Sequence, residues 1–129
     1  MFDELDFVYL PSRDVAADAA HFTSGLGGEL VFAVERFETR VAMIRLTAGG
    51  PKLLLAEHLE GDRPILVFRV DDLDDAIAEL RQRGVALGPR FEFPYGEGIP
   101  VDGPGPQRVA IYERTREERG ESLAGRRDF

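Results

Sequence analysis

The sequence contains a weak internal repeat, and this repeat limits the possible folds more than any single residue does. Residues 6–22 (DFVYLPSRDVAADAAHF) match residues 64–80 (PILVFRVDDLDDAIAEL), so that Phe7 corresponds to Ile65 and Asp14 to Asp72. Both copies predict a strand followed by an amphipathic helix. Each copy must bury its apolar face against a neighbour, and we therefore expect the two copies to pack together around shared positions.

Composition predicts one soluble domain that spans residues 1–129 and excludes several classes of function. The chain is 43% hydrophobic and 31% charged, which is ordinary for a globular protein with a core. Its net charge of −8 disfavours nucleic acid and anionic membranes as partners. The absence of cysteine excludes disulfides and thiolate chemistry. No apolar run approaches the roughly 18 residues of a membrane span, and the acidic start MFDELDF is unlike a secretory signal, so we expect a cytoplasmic protein.

The first predicted module covers residues from about 4 to 58. Residues 5–10 form an apolar strand, and Ser12 or Asp14 then caps a helix that ends at the glycines of residues 25–28. Three further strands are predicted at residues 29–34, 40–46 and 52–57, separated by polar or glycine-rich turns. The module therefore has the order β-α-β-β-β.

The second predicted module covers residues from about 64 to 114 and repeats this order. A strand at residues 65–70 leads to a helix that Asp71 or Asp72 caps and that ends at Gly84. Strands are predicted at residues 85–93, 96–101 and 108–114. The tail, residues 115–129, is rich in charge and is expected to be solvated. The predicted fold class is therefore α+β, with two tandem βαβββ modules.

Several segments resemble the vicinal oxygen chelate superfamily, which includes glyoxalases, bleomycin-resistance proteins and extradiol dioxygenases. The resemblance lies in LDFVYLPSRDV, VFRVDDLDDAIAELRQRGV and GPQRVAIYE, taken in this order together with the repeat. It implies curved mixed sheets around a shared cavity. It also implies metal ligands of the His, Glu or Gln type on the first and last strands of each module in the metal-dependent members.

The positions that correspond to those ligands are apolar in this sequence. They are Phe7 and Ile65 on the first strands, Leu54 (or Leu55, if the register differs by one) and Ala110 on the last strands. These side chains have no N, O or S donor for a divalent cation. The two histidines offer little in their place, since we interpret His21 as a surface residue and His58 as part of a solvated turn. We therefore expect no metal and no other cofactor.

Strand parity predicts a cavity with an apolar and aromatic lining and a few polar groups. Residues two apart share a face of a strand, which places Tyr9 with the first-strand position and Tyr112 with the last. Tyr95, in the segment FEFPYGEG, is expected at the cavity mouth. Arginines that point into such a cavity suit an anionic group, although each can instead pair with a nearby carboxylate. The predicted ligand-binding residues are Phe7, Tyr9, Arg45, Leu54, Ile65, Arg69, Tyr95, Ala110 and Tyr112.

Two classes of function remain open at this point. The first is a metal-independent binding protein of the glyoxalase/bleomycin-resistance type for an aromatic or anionic small molecule. The second is an enzyme, a glyoxalase-like lyase, isomerase or dioxygenase, with Glu92, Glu97 or Tyr95 as its acid or base or with an unrecognised metal site. Resemblance to the superfamily also implies a homodimer.

Overall fold

Eight strands form one mixed sheet in the computed structural model, which describes residues 1–36, 38–59, 61–115 and 122–129. Two α-helices, α1 (Val15–Ala20) and α2 (Leu73–Gln82), follow the first strand of each module. The strands are β1 (Phe2–Pro11), β2 (Glu29–Arg36), β3 (Thr39–Arg45), β4 (Lys52–Ala56), β5 (Ile65–Val70), β6 (Phe91–Phe93), β7 (Gly96–Val101) and β8 (Val109–Glu113).

The order of the strands shows how the repeat builds the sheet. It runs β2-β3-β4-β1-β5-β8-β7-β6, so each module contributes four neighbouring strands in equivalent order. The first and last strands of each module are parallel, as in the pairs β1–β4 and β5–β8. The two modules meet where β1 and β5 pair antiparallel, with Tyr9 opposite Ile65. The predicted α+β fold of two βαβββ modules in a curved mixed sheet is therefore confirmed.

Both helices begin at the repeated aspartates, as the sequence predicts. Asp14 accepts a hydrogen bond from the backbone N–H of Ala17, and Asp72 accepts one from Asp75. The N-cap bond satisfies a backbone donor that otherwise has no partner inside the helix. The first helix ends sooner than expected as an α-helix and continues as one π-helical turn, His21–Gly25. A side chain at Gly28 would meet the Phe22 carbonyl oxygen at 2.7 Å, which explains why glycine follows this turn.

The sheet has two apolar faces with different coverings. The outer face packs against α1 and α2, with Leu55 under the first helix and Ile111 under the second. The other face, which we call the inner face, carries the largest apolar cluster, and neither α1 nor α2 contributes to that cluster. Its buried members are Phe7, Tyr9, Phe32, Val34, Met43, Leu54, Ala56, Val67, Phe93, Tyr95, Ala110, Tyr112 and Leu123.

The strands of the second module differ from the prediction on one side. The prediction of a strand at residues 85–93 is wrong over most of that range. Of these residues, Phe91–Phe93 forms a strand, and Leu87 makes a single bridge to Val101. Pro89 has no N–H for a ladder, and a side chain at Gly88 would press on Pro100 at 3.1 Å. The strand at residues 96–101 is confirmed as β7.

The end of the chain is not a solvated tail, which corrects the expectation for the part of it that is described. Residues 122–129 return to the edge of β2, where Arg127 forms a parallel bridge with Ala33. Ala33 donates to the carbonyl of Arg126 and accepts from the N–H of Asp128. Leu123 is buried in the inner-face cluster. The charge of this segment predicted exposure to solvent, but its apolar residue Leu123 packs into the core. Residues 116–121 lie outside the described part of the chain.

Candidate functional site at the inner face of the sheet

The four positions at which the sequence resemblance implied metal ligands all belong to the inner face. Phe7, Leu54 and Ala110 are at most 2% exposed, and Ile65 packs against the same cluster. Leu55 packs under α1 on the outer face, so the register with Leu54 is correct. The predicted strand parity is therefore confirmed, and apolar carbon occupies all four positions.

Aromatic rings fill the centre of the inner face, where the sequence predicted an open cavity. The ring of Phe7 stacks on Tyr95, with ring centres 5.5 Å apart, and also contacts Tyr112 at 5.6 Å and Phe93 at 6.2 Å. Tyr95 was expected at a cavity mouth, but it is 8% exposed and its hydroxyl donates to the sulfur of Met43. Proline and glycine on either side turn this ring inward, where it buries more apolar area than it would at the surface.

Two cavities lie toward one end of the inner face, which we call the open end. It is formed by the last residues of β1 and β4 and the first residues of β5 and β8. The first cavity has a volume of about 490 Å³ and the second about 740 Å³. Four residues line both cavities: Tyr9, His58, Glu92 and Phe93. The remaining residues of the first cavity are Phe32, Val34, Arg36, Thr39, Val41, Leu54, Pro94, Ser122, Leu123 and Arg126.

A tyrosine and a histidine are joined by a hydrogen bond between these cavities. The hydroxyl of Tyr9 lies 3.1 Å from Nε2 of His58, and the two rings meet edge to face. Burial raises the pKa of Tyr9 from 10.0 to about 12, so this hydroxyl remains protonated at neutral pH. His58 is exposed in a turn, as expected, but its partnership with Tyr9 was missed. The alternation of strand residues could have placed His58 on the inner face, because residues 54, 56 and 58 lie on one face of β4 and its extension.

The two candidate carboxylates have different surroundings. Glu92 lines both cavities beside His58. Glu97 lines neither of them, since its carboxylate binds the guanidinium of Arg90 at 3.0 Å on the exposed surface. The same arginine also holds Asp74 of α2 at 2.6 Å. Of the three acid–base candidates, only Glu92 therefore lies at a cavity, because Tyr95 is part of the aromatic centre.

The opposite end of the inner face, which we call the closed end, holds Arg45, Arg69 and the hydroxyl of Tyr112, whose ring belongs to the aromatic centre. Arg69 lies within 3.3–3.7 Å of Asp3, Glu4 and Asp6, which is the ion-pair alternative that the sequence left open. Tyr112 is fully buried and donates its hydroxyl hydrogen to Asp6. Burial and this hydrogen bond raise the pKa of Tyr112.

Arg45 is half-exposed and lies 3.6 Å from Glu29. None of the three residues at the closed end lines either of the two cavities.

The predicted binding residues therefore separate into three groups. Four of them line the cavities, namely Tyr9, Leu54, Ile65 and Ala110. Phe7, Tyr95 and Tyr112 form the aromatic centre, and Arg45 and Arg69 lie at the closed end. Among residues 1–36, 38–59, 61–115 and 122–129, no three His, Cys, Asp or Glu side chains are grouped so that they can hold a metal ion. None of the described helices is long and apolar enough to cross a membrane.

Solved structures share this fold at low sequence identity. A methylmalonyl-CoA epimerase from Mycobacterium tuberculosis is 21% identical and has a TM-score of 0.68, over 91% of this chain and 91% of that one. A hypothetical protein from Bacillus halodurans C-125 is 13% identical and has a TM-score of 0.74, over 88% of this chain and 95% of that one. A catechol 2,3-dioxygenase is 15% identical, with a TM-score of 0.64 over 89% of this chain and 42% of that one.

No protein-family model and no curated protein matches the sequence. The chain has the vicinal oxygen chelate fold, as the sequence resemblance predicts.

Proposed function

We propose that this protein is a metal-independent binding protein for a small apolar or aromatic molecule, which it holds in the 490 Å³ cavity at the open end. The observation that carries this proposal is the wall of that cavity, in which Val34, Val41, Leu54 and Phe93 surround the buried ring of Tyr9. Its volume lies within the roughly 300–1,000 Å³ of ordinary ligand pockets. An apolar wall of this kind supplies affinity through burial of the ligand's carbon surface.

Polar groups at the rim of this cavity favour a ligand with an anionic or hydrogen-bonding group. Arg36, Arg126 and His58 reach the rim, while the hydroxyl of Tyr9 lies deeper. Arg126 is already paired with Asp128 at 2.9 Å, so Arg36 is the better partner for a ligand carboxylate. A guanidinium binds a carboxylate through two parallel N–H donors, which fixes orientation as well as charge. The ligand that fits best is therefore aromatic with one acidic substituent.

Independence from metal rests on the residues at the centre of the inner face. Phe7, Leu54, Ile65 and Ala110 offer carbon where the superfamily's metal-dependent members have donors. The purified protein should therefore contain less than about 0.1 equivalent of Ni, Zn, Fe or Mn by elemental analysis. A stoichiometric amount of any of these ions would contradict the proposal.

The test uses 1-anilinonaphthalene-8-sulfonate, an aromatic anion whose fluorescence rises on transfer from water to an apolar site. Val41 lines the cavity and is partly buried, so Val41→Trp fills the space without adding a charge. We expect this substitution to weaken binding at least about tenfold, because the ligand loses its apolar contacts. Leu26→Trp is the matched control, since Leu26 is 55% exposed and lines neither cavity.

Retention of probe affinity in Val41→Trp would contradict the proposal, and so would an equal loss in the control. Circular dichroism of both variants verifies that the fold is intact, because the probe also binds partly unfolded chains. Backbone amide shifts on titration should concentrate at Tyr9, Val41 and Leu54, which separates binding in the cavity from binding elsewhere.

A second candidate function is acid–base catalysis at the same end. It is favoured by one observation, namely that Glu92 and His58 line both cavities together. Such a pair suits the removal and return of a proton beside a carbonyl group. Deuterium exchange into a panel of α-acidic carbonyl compounds in D₂O tests it. Exchange that disappears in Glu92→Gln would favour the enzyme, and no exchange with any compound would leave binding as the function.

The oligomeric state and the location form part of the proposal. We propose a cytoplasmic homodimer, for which the exposed apolar side chains of Phe2 and Leu66 provide contact area. Sedimentation velocity gives the mass directly, and a single species of about 14.3 kDa, the mass of one chain, would contradict the dimer.

A further inference from the structure

Three cations gather on the inner face at the closed end. The inner-face residues nearest this end are Met43 on β3, Leu54 on β4 and Tyr112 on β8. Along each of these strands or its extension, a cation lies two residues further toward the closed end. These cations are Arg45, Lys52 and Arg114, which strand alternation places on the same face. Ile44 pairs with Leu53, so Arg45 and Lys52 are direct cross-strand neighbours. Like charges in such a pair repel each other.

The positive charge of this group is poorly balanced within the described part of the chain. Arg45 has only the exposed Glu29, at 3.6 Å, and an exposed ion pair of this kind contributes little. The guanidinium of Arg114 lies over the ring of Tyr95, with its carbon 5.0 Å from the ring centre. Its Nε is buried and has no hydrogen-bond partner in the described residues. A buried donor without an acceptor is costly, and an acceptor supplied by a ligand would remove that cost.

The charges of the two arginines also act on the ammonium group of Lys52. Burial lowers the pKa of Lys52, and the charges of Arg45 and Arg114 lower it further, while Asp6 acts in the opposite direction. Asp6 already accepts the hydroxyl of Tyr112 and faces Arg69. The charges of two guanidinium groups therefore act on this ammonium group, and the carboxylate that opposes them is shared with Tyr112 and Arg69.

We propose that Arg45, Lys52 and Arg114 form a binding site for a phosphate group. Two guanidinium groups and one ammonium group can donate several charge-assisted hydrogen bonds to the oxygens of one phosphate. The dianion also removes the repulsion between the three cations. This site is separate from the cavities, because the aromatic centre of Phe7, Tyr95 and Tyr112 lies between the two ends.

Inorganic phosphate is the first probe, titrated calorimetrically into the full chain against sodium chloride of equal ionic strength. We expect saturable binding to the wild type and a loss of at least about tenfold in Arg114→Gln, since hydrogen bonds to charged groups are strong. Arg83→Gln is the matched control, because Arg83 is an exposed guanidinium at the C-cap of α2 whose partner is Glu79. A second titration with phenyl phosphate shows whether a phosphate ester binds more tightly than the free ion.

A second measurement distinguishes phosphate binding from a purely structural role of these cations. Lys52→Met should raise the melting temperature without phosphate, since it removes a repulsive charge, and it should abolish the further rise that phosphate gives the wild type. No phosphate-specific binding to the wild type would overturn the proposal. An equal loss in Arg83→Gln would overturn it as well. Because the cavities lie at the other end, neither result bears on the test with the aromatic probe.

Discussion

The two ends of the inner face use the same kind of side chain for different purposes. At the closed end, Tyr112 is fully buried and its hydroxyl binds a carboxylate that also faces Arg69. At the open end, Tyr9 packs its ring in the core while its hydroxyl reaches an exposed histidine between two cavities. Tyrosine thus closes the core at one end and presents a polar group to solvent-filled space at the other.

The difference follows from what lies beside each tyrosine. Tyr112 contacts the buried rings of Phe7 and Phe93. Tyr9 contacts Phe93 and the exposed ring of His58, and it lines both cavities. A duplicated fold of this kind therefore does not need two equivalent halves of a site. Side chains fill one part of the shared face, and the open end contains the cavities.

The largest difference along the inner face should appear between its filled aromatic centre and its open end. Phe7→Ala is expected to lower the free energy of unfolding by about 3–5 kcal/mol, because it opens a cavity among rings that cannot close it. Ile65→Ala, at the open end, should cost less than half as much, since Ile65 is only partly buried. Urea denaturation measures both. Equal losses would contradict the contrast between a filled and an open end.

Removal of one hydroxyl from each end gives a smaller contrast. Tyr112→Phe removes the hydroxyl donor of Asp6 and leaves it the longer ion pair with Arg69 at 3.7 Å, so it should cost about 1–3 kcal/mol of unfolding free energy. Tyr9→Phe should cost about 1 kcal/mol or less, because water can replace it at the exposed His58. The same denaturation experiment checks this order, and a larger loss for Tyr9→Phe would break the comparison.

The last effect is absent at pH 7 and appears only in alkali. Burial raises the pKa of all three tyrosines above 10.0, that of Tyr9 to about 12. A raised pKa stabilises the fold below the unfolded value, so this contribution is complete below pH 10 and is lost as the pH rises toward 12. Tyrosinate absorbance at 295 nm should therefore appear together with unfolding. A component that titrates near pH 10 in the folded protein would contradict the burial of one ring.

Much of the fold was predictable because the repeat and the caps are local signals. Asp14 and Asp72 cap their helices as the sequence indicates, and the parity of Phe7, Leu54 and Ala110 is correct. Alternation places a side chain on a face, but it does not show whether that face is hollow or filled. The sequence therefore placed Tyr95 and Tyr112 in a cavity that their own rings, with Phe7, occupy.

Long-range contacts account for the rest of the differences. His58 joins Tyr9 across 49 positions, and Leu123 reaches the inner face from a segment whose charge predicts a solvated tail. Strand parity places His58 on the inner face but does not identify Tyr9 as its partner, and no local pattern predicts the contact of Leu123. Gly88 and Pro89 interrupt the strand predicted at residues 85–93, because the proline has no N–H and a side chain at the glycine would press on Pro100.

The return of residues 125–128 to β2 has a consequence for how copies of this chain can meet. Ala33 has both of its backbone groups engaged, and Asp128 binds the N–H of Glu35, so this border of the sheet has few groups left for another strand. The other border, β6, is only three residues long. Pairing of sheet edges between molecules is therefore disfavoured at both borders. Self-association must use side-chain surfaces instead, and such a contact can end at a dimer.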